Sequence, residues 1–355
     1  MQAGRRSCER LADLESTLLA DEMRSTEVRA PIFIAGVARS GSTILLEALA
    51  SLPGLASARY RDFPPIWFPY WWDRLRAQLP LPSPPSRPRA HADGIEVTPD
   101  SPEACDELFW MHFVPGRHQV GVDQRLNGDY SNPRFEAFYR RHLQKVLYTR
   151  GASRYLCKGN YNLLRLPYLK RVFPDARFVV PVRDPIEHVV SLVRQHERFD
   201  QLARTWPSVG TQLARSGHFE FGPQRRAECA GDSGVAALIE SLFRVGDNIA
   251  AYAHQWAASY AELARVLEND RQLRDAVLIV SFESLCCDTE KMLERLAEHC
   301  QLEAAQRQQL LRDWGGRMRA PARREISSEA QAQVLSICAK VAERIGLGGF
   351  GEAAG

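Results

Sequence analysis

No stretch of the chain approaches the ~20 consecutive apolar residues that a membrane-spanning helix needs. The opening MQAGRRSCERLADLES turns charged where a secretion signal would have its apolar core. These two absences lead to the expectation of a cytoplasmic chain without a transmembrane segment. No C-x-x-C, H-E-x-x-H or H-x-x-x-H spacing occurs, so no metal is expected. The eight cysteines are scattered, and the adjacent Cys286 and Cys287 are awkward partners, which favours reduced thiols. An excess of one charge is also missing: 46 basic residues stand against 43 acidic, a formal net charge of +3. That balance argues against a nucleic-acid partner, whose phosphates would demand a basic surface, and leaves room for an anionic small molecule held by a few local arginines. With 355 residues, 45% hydrophobic and 25% charged, the chain is ordinary globular material and not collagen-like, disordered or a disulfide scaffold.

Residues 1–28 read as an N-terminal helical extension whose packing face carries Leu11, Leu14, Leu18 and Leu19. One α/β domain is expected over 29–346, with 60–150 as an insertion and substrate region and 347–355 as a flexible tail. PIFIAGV (31–37) is a short apolar run, ARSGST a tight polar loop, and ILLEALASL carries helical spacing, so the order is strand, loop, helix. The Trp67, Phe68, Tyr70, Trp71 and Trp72 group is either an acceptor platform or core. Five prolines between Pro80 and Pro88 make an extended connection, read as a surface linker or as a flap near a substrate site. Two helices are expected between Ser101 and Arg150, the second with Arg140, Arg141 and Lys145 on a solvated face. RYLCK, NLLRLPYLKRVFP, ARFVVPV and RDPIEHVVSLVRQH then alternate strand and helix, the pattern of a parallel sheet with helices on both faces. A long helix over about 234–267 and a strand at AVLIVSF (276–282) follow.

Gly36 to Thr43 reads G-V-A-R-S-G-S-T, the phosphate-loop pattern G-x-x-x-x-G-K-[ST] with Ser42 in place of lysine. A strand feeding such a loop into a helix aims backbone N–H groups and the positive helix end at one spot. Arg39, Ser40, Gly41, Ser42 and Thr43 are therefore candidate anion-binding residues. Without the lysine that reaches the β and γ phosphates of ATP or GTP, a nucleoside triphosphate is a poorer fit than a terminal 5′-phosphosulfate.

ARSGST after PIFIAGV resembles the 5′-phosphosulfate loop of the sulfotransferases that use 3′-phosphoadenosine-5′-phosphosulfate (PAPS) and release 3′-phosphoadenosine-5′-phosphate. A second signature of that family, a strand ending in Arg with Ser eight positions on, is matched by Arg183 and Ser191. The resemblance implies that this pair grips the 3′-phosphate, which suits a forked cation and a hydroxyl. It also implies a three-layer α/β/α fold with a short central parallel sheet, and a lysine at Lys158 to steady the oxygen bridging sulfate and phosphate. Where small-molecule members carry a catalytic His, two residues on, this sequence has Asn160.

The proton acceptor must then lie elsewhere. Asp62, in SARYRDFPP just after the first helix, is the first candidate; the alternative is a carboxylate satisfied by Arg59 or Arg61. The segment from Arg89 offers His91, Asp93, Glu96 and Glu103, and its H-A-D-G run beside R-Y-R-D-F-P resembles a bacterial branch of the family, making His91 the second candidate against an exposed loop residue. H-F-E-F-G at 218–222 is a third place to look for the base, read as packing or a substrate-side loop ahead of catalysis. Arg317, Arg319, Arg323 and Arg324 either close over the nucleotide or are solvated. The acceptor implied is a small molecule, lipid headgroup or glycan bearing a hydroxyl. Two rivals remain: a phosphate-loop kinase using ATP, with Asp184 as its magnesium ligand, and a non-catalytic protein that binds the adenosine bisphosphate.

Overall fold

The structure, a computed structural model, describes residues 2–79, 84–320 and 326–347. Five short strands form its central sheet: β1 (Ile32–Ile34), β2 (Leu55–Ala56), β3 (Arg154–Lys158), β4 (Arg177–Val182) and β5 (Val277–Ser281). Their order is β2-β3-β1-β4-β5 and every pairing is parallel. Successive side chains of a strand point to opposite faces, and here both faces are buried. Phe33, Tyr155, Cys157, Phe178, Val180 and Val182 join the larger core, whereas Ile32, Ile34, Leu156 and Val179 join the second with Leu45, Leu46 and Leu49. Helices therefore cover both sides, the three-layer arrangement expected from the strand and helix alternation.

The helices that position the site are α1 (Gln2–Leu18), α2 (Ser42–Ala50), α3 (Pro133–Arg150), α4 (Pro185–Thr205), α5 (Ser233–Val245) and α6 (Asn248–Asn269). The long helix expected over 234–267 is two. Gly246, at φ 85°, ends α5, and the Asp247 side chain caps α6 by accepting from Ala250 N, so the Gly-Asp pair stops one helix and starts the next.

α1 is rotated away from the expected packing face. Leu11, Leu14 and Leu18 are 44%, 50% and 62% exposed, while Ala12 and Glu15 are fully buried. Ion pairs set this rotation. Glu15 Oε2 lies 2.9 Å from Lys145 Nζ on α3, and Glu9 meets His112 and Arg134. A buried charge left alone costs about 3–5 kcal/mol, more than half-exposing a leucine, at roughly 1 kcal/mol each. Lys145 is thus not on a solvated face but 1% exposed, donating also to the carbonyls of Ala12 and Trp67.

Pro84 onward, the proline-rich segment folds into a small antiparallel hairpin pairing Arg87–Pro88 with Glu96–Val97. Pro80 and Pro82 lie outside the described residues. The hairpin tip reaches the ends of the central strands, where Asp93 meets Arg39.

Candidate active site

β1, β3 and β4 are neighbours, and their C-terminal ends are where a parallel sheet opens its crevice. β1 stops at Ile34 and gives way to the loop Ala35–Gly41, which turns into α2. Gly41 takes φ 101°, and a Cβ there would stand 2.5 Å from the Phe282 ring. At Gly36 a Cβ would come within 2.9 Å of the Pro181 carbonyl. Only glycine lets this loop lie so tightly over Pro181 of β4 and over Phe282, which follows β5. Arg39 itself is held at φ 75°, a conformation that non-glycine residues rarely adopt. The first-turn N–H groups of α2, lacking carbonyls behind them, face out along the axis beside this arginine.

β4 runs past Val179, the partner of Ile34, to Val182, and Arg183 follows at the strand end. Asp184 caps α4, its Oδ1 accepting from Ile186 N at 2.9 Å and Glu187 N at 3.1 Å. Pro185 at the first helical position fixes the turn. Arg183 is buried; its ion-pair partner is Glu187 at 3.3 Å rather than Asp184, and its guanidinium lies over the Phe282 ring. Its Nε has no hydrogen-bond partner among the described residues. From the same helix His188 Nε2 donates to the Ala38 carbonyl at 2.8 Å, and burial pushes this imidazole down to about 3, so it is neutral and anchors the loop. One turn on, Ser191 Oγ accepts from Arg39 Nε at 3.4 Å.

Lys158, last residue of β3, donates from Nζ to Thr43 Oγ1 at 3.1 Å. Burial first, then the charges of Arg89 and Arg39, lowers its pKa; Glu103 and Glu220 offset part of this. Burial and the Arg39 charge act on Arg183 in the same direction. Arg89 comes from the hairpin and is nearly buried, 3.4 Å from Asp93; Asp93 in turn holds Arg39 Nη1 at 2.7 Å. Four cations, Arg39, Arg89, Lys158 and Arg183, thus converge on the strand ends, and burial makes the charge of Lys158 and Arg183 costlier, the electrostatic condition for an anion site.

A sequence model described as "Sulfotransferase family" matches residues 31–216, from β1 through α4 and beyond. The chain belongs to the sulfotransferase family. Among solved structures it is similar to sulfotransferase STF9 from Mycobacterium avium, with a TM-score of 0.53 at 16% identity over 93% of this chain and 80% of that one. It is also similar to sulfotransferase STF1 from Mycobacterium tuberculosis H37Rv, with a TM-score of 0.47 at 15% identity over 96% and 83%. No curated protein matches the chain in sequence. The likeness to STF9 speaks for a common fold.

In this sulfotransferase the candidate proton acceptors are placed very differently. Asp62 is buried at the end of a short 3-10 turn (Tyr60–Asp62), where Oδ1 pairs with Arg150 at 2.7 Å and Oδ2 accepts from Arg59 N at 2.8 Å. His91 stands at the hairpin tip with its ring edge-on to Phe199 and Phe221. Burial, reinforced by Arg89, Arg39, His218 and Lys158, holds its pKa well below the usual imidazole range. Glu96 is exposed and bonds Ser86. Glu103 is ionised despite burial, which pushes it up, because Lys158, Tyr60 and Ala104 N together outweigh that penalty. Asn160 donates from Nδ2 to Glu220 Oε1 at 2.5 Å, and Glu220 Oε2 lies 3.5 Å from His218 Nδ1.

Sequence reasoning missed Arg89 and His188. Arg89 stands four before Asp93 in a run already singled out for His91, a charge pairing that could have flagged it. His188 stands three before Ser191, on the same helix face, and that spacing was its only signal. Of the aromatic group, Trp67 is core, edge-on to Phe109 at 5.0 Å. Arg317 lies over the Trp314 ring, Arg319 is exposed, and Arg323 and Arg324 lie outside the described residues. Among the described residues no group of three or more His, Cys, Asp or Glu could hold a metal ion, and no helix is long and apolar enough to cross a membrane.

Proposed function

We propose that the chain transfers a sulfuryl group from PAPS to a hydroxyl of a small-molecule or glycan acceptor by in-line displacement. The observation that carries this reading is the meeting of two distant motifs, Arg39 Nε against Ser191 Oγ at 3.4 Å. PAPS offers two anionic groups on one molecule, and the crevice offers two matching cationic ones. The fit is supported by Arg183 Nε, buried with no hydrogen-bond partner among the described residues, and by Gly36 and Gly41, where any Cβ would spoil the loop.

PAPS, when bound, supplies an activated sulfuryl group. The α2 amides, Ser40, Gly41, Ser42, Thr43 and Arg39 would hold its 5′ end, and Arg183 and Ser191 its 3′-phosphate. Lys158, set by Thr43, would stabilise the charge that develops on the bridging oxygen. His188 and Asp184 keep the loop and α4 in register. Asp62, taken up by Arg150 and Arg59, is read as an anchor of its turn, and His91 as a neutral wall of the crevice. All eight cysteines are free thiols, which supports a reducing, cytoplasmic setting.

The kinase alternative is weaker on one specific ground: Asp184 Oδ1 is already committed to two backbone amides as a helix cap. The test is to supply PAPS with EDTA present and follow bisphosphate release across a panel of alcohols, phenols and sugars. Acceptor-dependent release supports the proposal. Magnesium-dependent consumption of ATP in its place would overturn it.

A further inference from the structure

We infer that His218, oriented by Glu220 and Asn160, takes the proton of the acceptor hydroxyl. The inference rests on the sulfuryl-transfer reading above and adds the base which that reading lacks.

Asn160 follows Lys158 by two residues on the turn leaving β3, so it is carried by the same strand end as the cation of the site. Its side chain reaches away from its own turn to Glu220 Oε1 at 2.5 Å. The carboxylate is fixed on one side only: Oε2 is buried with no hydrogen-bond partner among the described residues and lies 3.5 Å from His218 Nδ1. To accept a proton at Nε2 the neutral imidazole must already hold its own proton on Nδ1, and Oε2 is the acceptor standing next to that nitrogen. The backbone around the pair is pinned. Phe219 N donates to Tyr161 Oη at 3.0 Å, and Tyr252 Oη donates to the Glu220 carbonyl at 3.0 Å. Within this rigid frame the Glu220 side chain is 4% exposed but that of His218 is 27% exposed. A buried carboxylate orienting a partly open imidazole is the geometry a general base needs.

The surroundings agree. His218 faces Glu220, Glu103, Lys158 and His91, and Glu220 also faces Glu228. Burial lowers the pKa of His218, but the Glu220 bond and charge, with Glu103, outweigh burial and Lys158 and raise it above the usual 6.5. Of the imidazoles in the crevice, His91 is pushed in the opposite direction. In the step itself the acceptor O–H proton passes to His218 Nε2 while the acceptor oxygen forms its bond to sulfur. The sulfur–oxygen bond to the phosphate breaks, its electron pair stays on the bisphosphate, and His218 later returns the proton to water.

The experiment uses the full chain with PAPS and with water, simple alcohols and phenols as acceptors, following bisphosphate release from about pH 5.5 to about pH 9. His218→Gln, Glu220→Gln and Asn160→Ala are compared with the unaltered protein, and bisphosphate affinity is measured for each by calorimetry. The expected result is a rate that rises with pH through the His218 ionisation, a loss of about 100- to 10,000-fold in His218→Gln without that pH limb, and unchanged bisphosphate affinity. Glu220→Gln should keep the limb but move it to lower pH, which a merely structural carboxylate would not do. Full activity in His218→Gln with an unchanged pH profile would overturn the inference. Bisphosphate binding with no turnover of any acceptor would also overturn it, in favour of a non-catalytic pocket. Failure to bind the bisphosphate at all would instead remove the sulfuryl-transfer reading beneath it.

Discussion

Arg39 Nε and Ser191 Oγ stand 3.4 Å apart across 152 positions of sequence, and the other arm of the same guanidinium is held by Asp93 at 2.7 Å. The first contact joins the two motifs proposed to hold PAPS. The second pairs an acidic residue of the hairpin with the arginine of the loop.

In the proposed binding mode Asp93 competes with an incoming phosphosulfate for Arg39. Burial pushes its carboxyl up, but Arg89 and Arg39 more than reverse that, so it is ionised at neutral pH. Replacing Asp93→Asn removes the competitor and should tighten bisphosphate binding by about three- to tenfold, the worth of a partly screened ion pair. Calorimetric titration of the variant checks this; weaker binding would mean that Asp93 positions Arg39 instead.

The buried Glu15–Lys145 pair fixes α1 without touching the crevice. Lys145→Met alone should cost about 3–5 kcal/mol in urea denaturation, because Glu15 is left charged or must be protonated in a dry site. Pairing it with Glu15→Leu should recover most of that loss. Bisphosphate affinity should stay the same in both variants.

Glu107 gives a pH prediction. Burial raises its pKa, but Arg165, at 2.7 and 2.9 Å from its two oxygens, and His118 bring it down to about 2. A folded-state pKa below the usual 4.5 contributes stability that is fully present above about pH 4.5 and is lost as pH falls toward 2. The stability gap between the unaltered protein and Glu107→Gln should shrink between pH 6 and pH 3, read from urea midpoints at about those values. A gap that stays constant would contradict the assignment.

The sheet and the glycine loop between β1 and α2 are legible in the sequence because they are local. Apolar runs of the right length gave β1, β3, β4 and β5, and Arg183 with Ser191 share one strand-helix unit. What could not be read depends on long-range pairing. Leucine spacing marks the wrong face of α1, because the ion-pair partners of Glu9 and Glu15 lie over 100 positions away. Asp62 looked available because nothing nearby in sequence announces Arg150. Asn160 looked like a missing base, and only the fold brings Glu220 and His218 to it.

PAPS-type binding is tested most directly by calorimetric titration of 3′-phosphoadenosine-5′-phosphate against ADP and ATP, with and without Mg²⁺, for the unaltered protein and Arg183→Ala. The expected result is magnesium-independent preference for the bisphosphate, with about 100-fold weaker binding in Arg183→Ala, as follows from losing a charge-assisted bond of roughly 2–3 kcal/mol. Tighter, magnesium-dependent binding of ATP, untouched by Arg183→Ala, would contradict it.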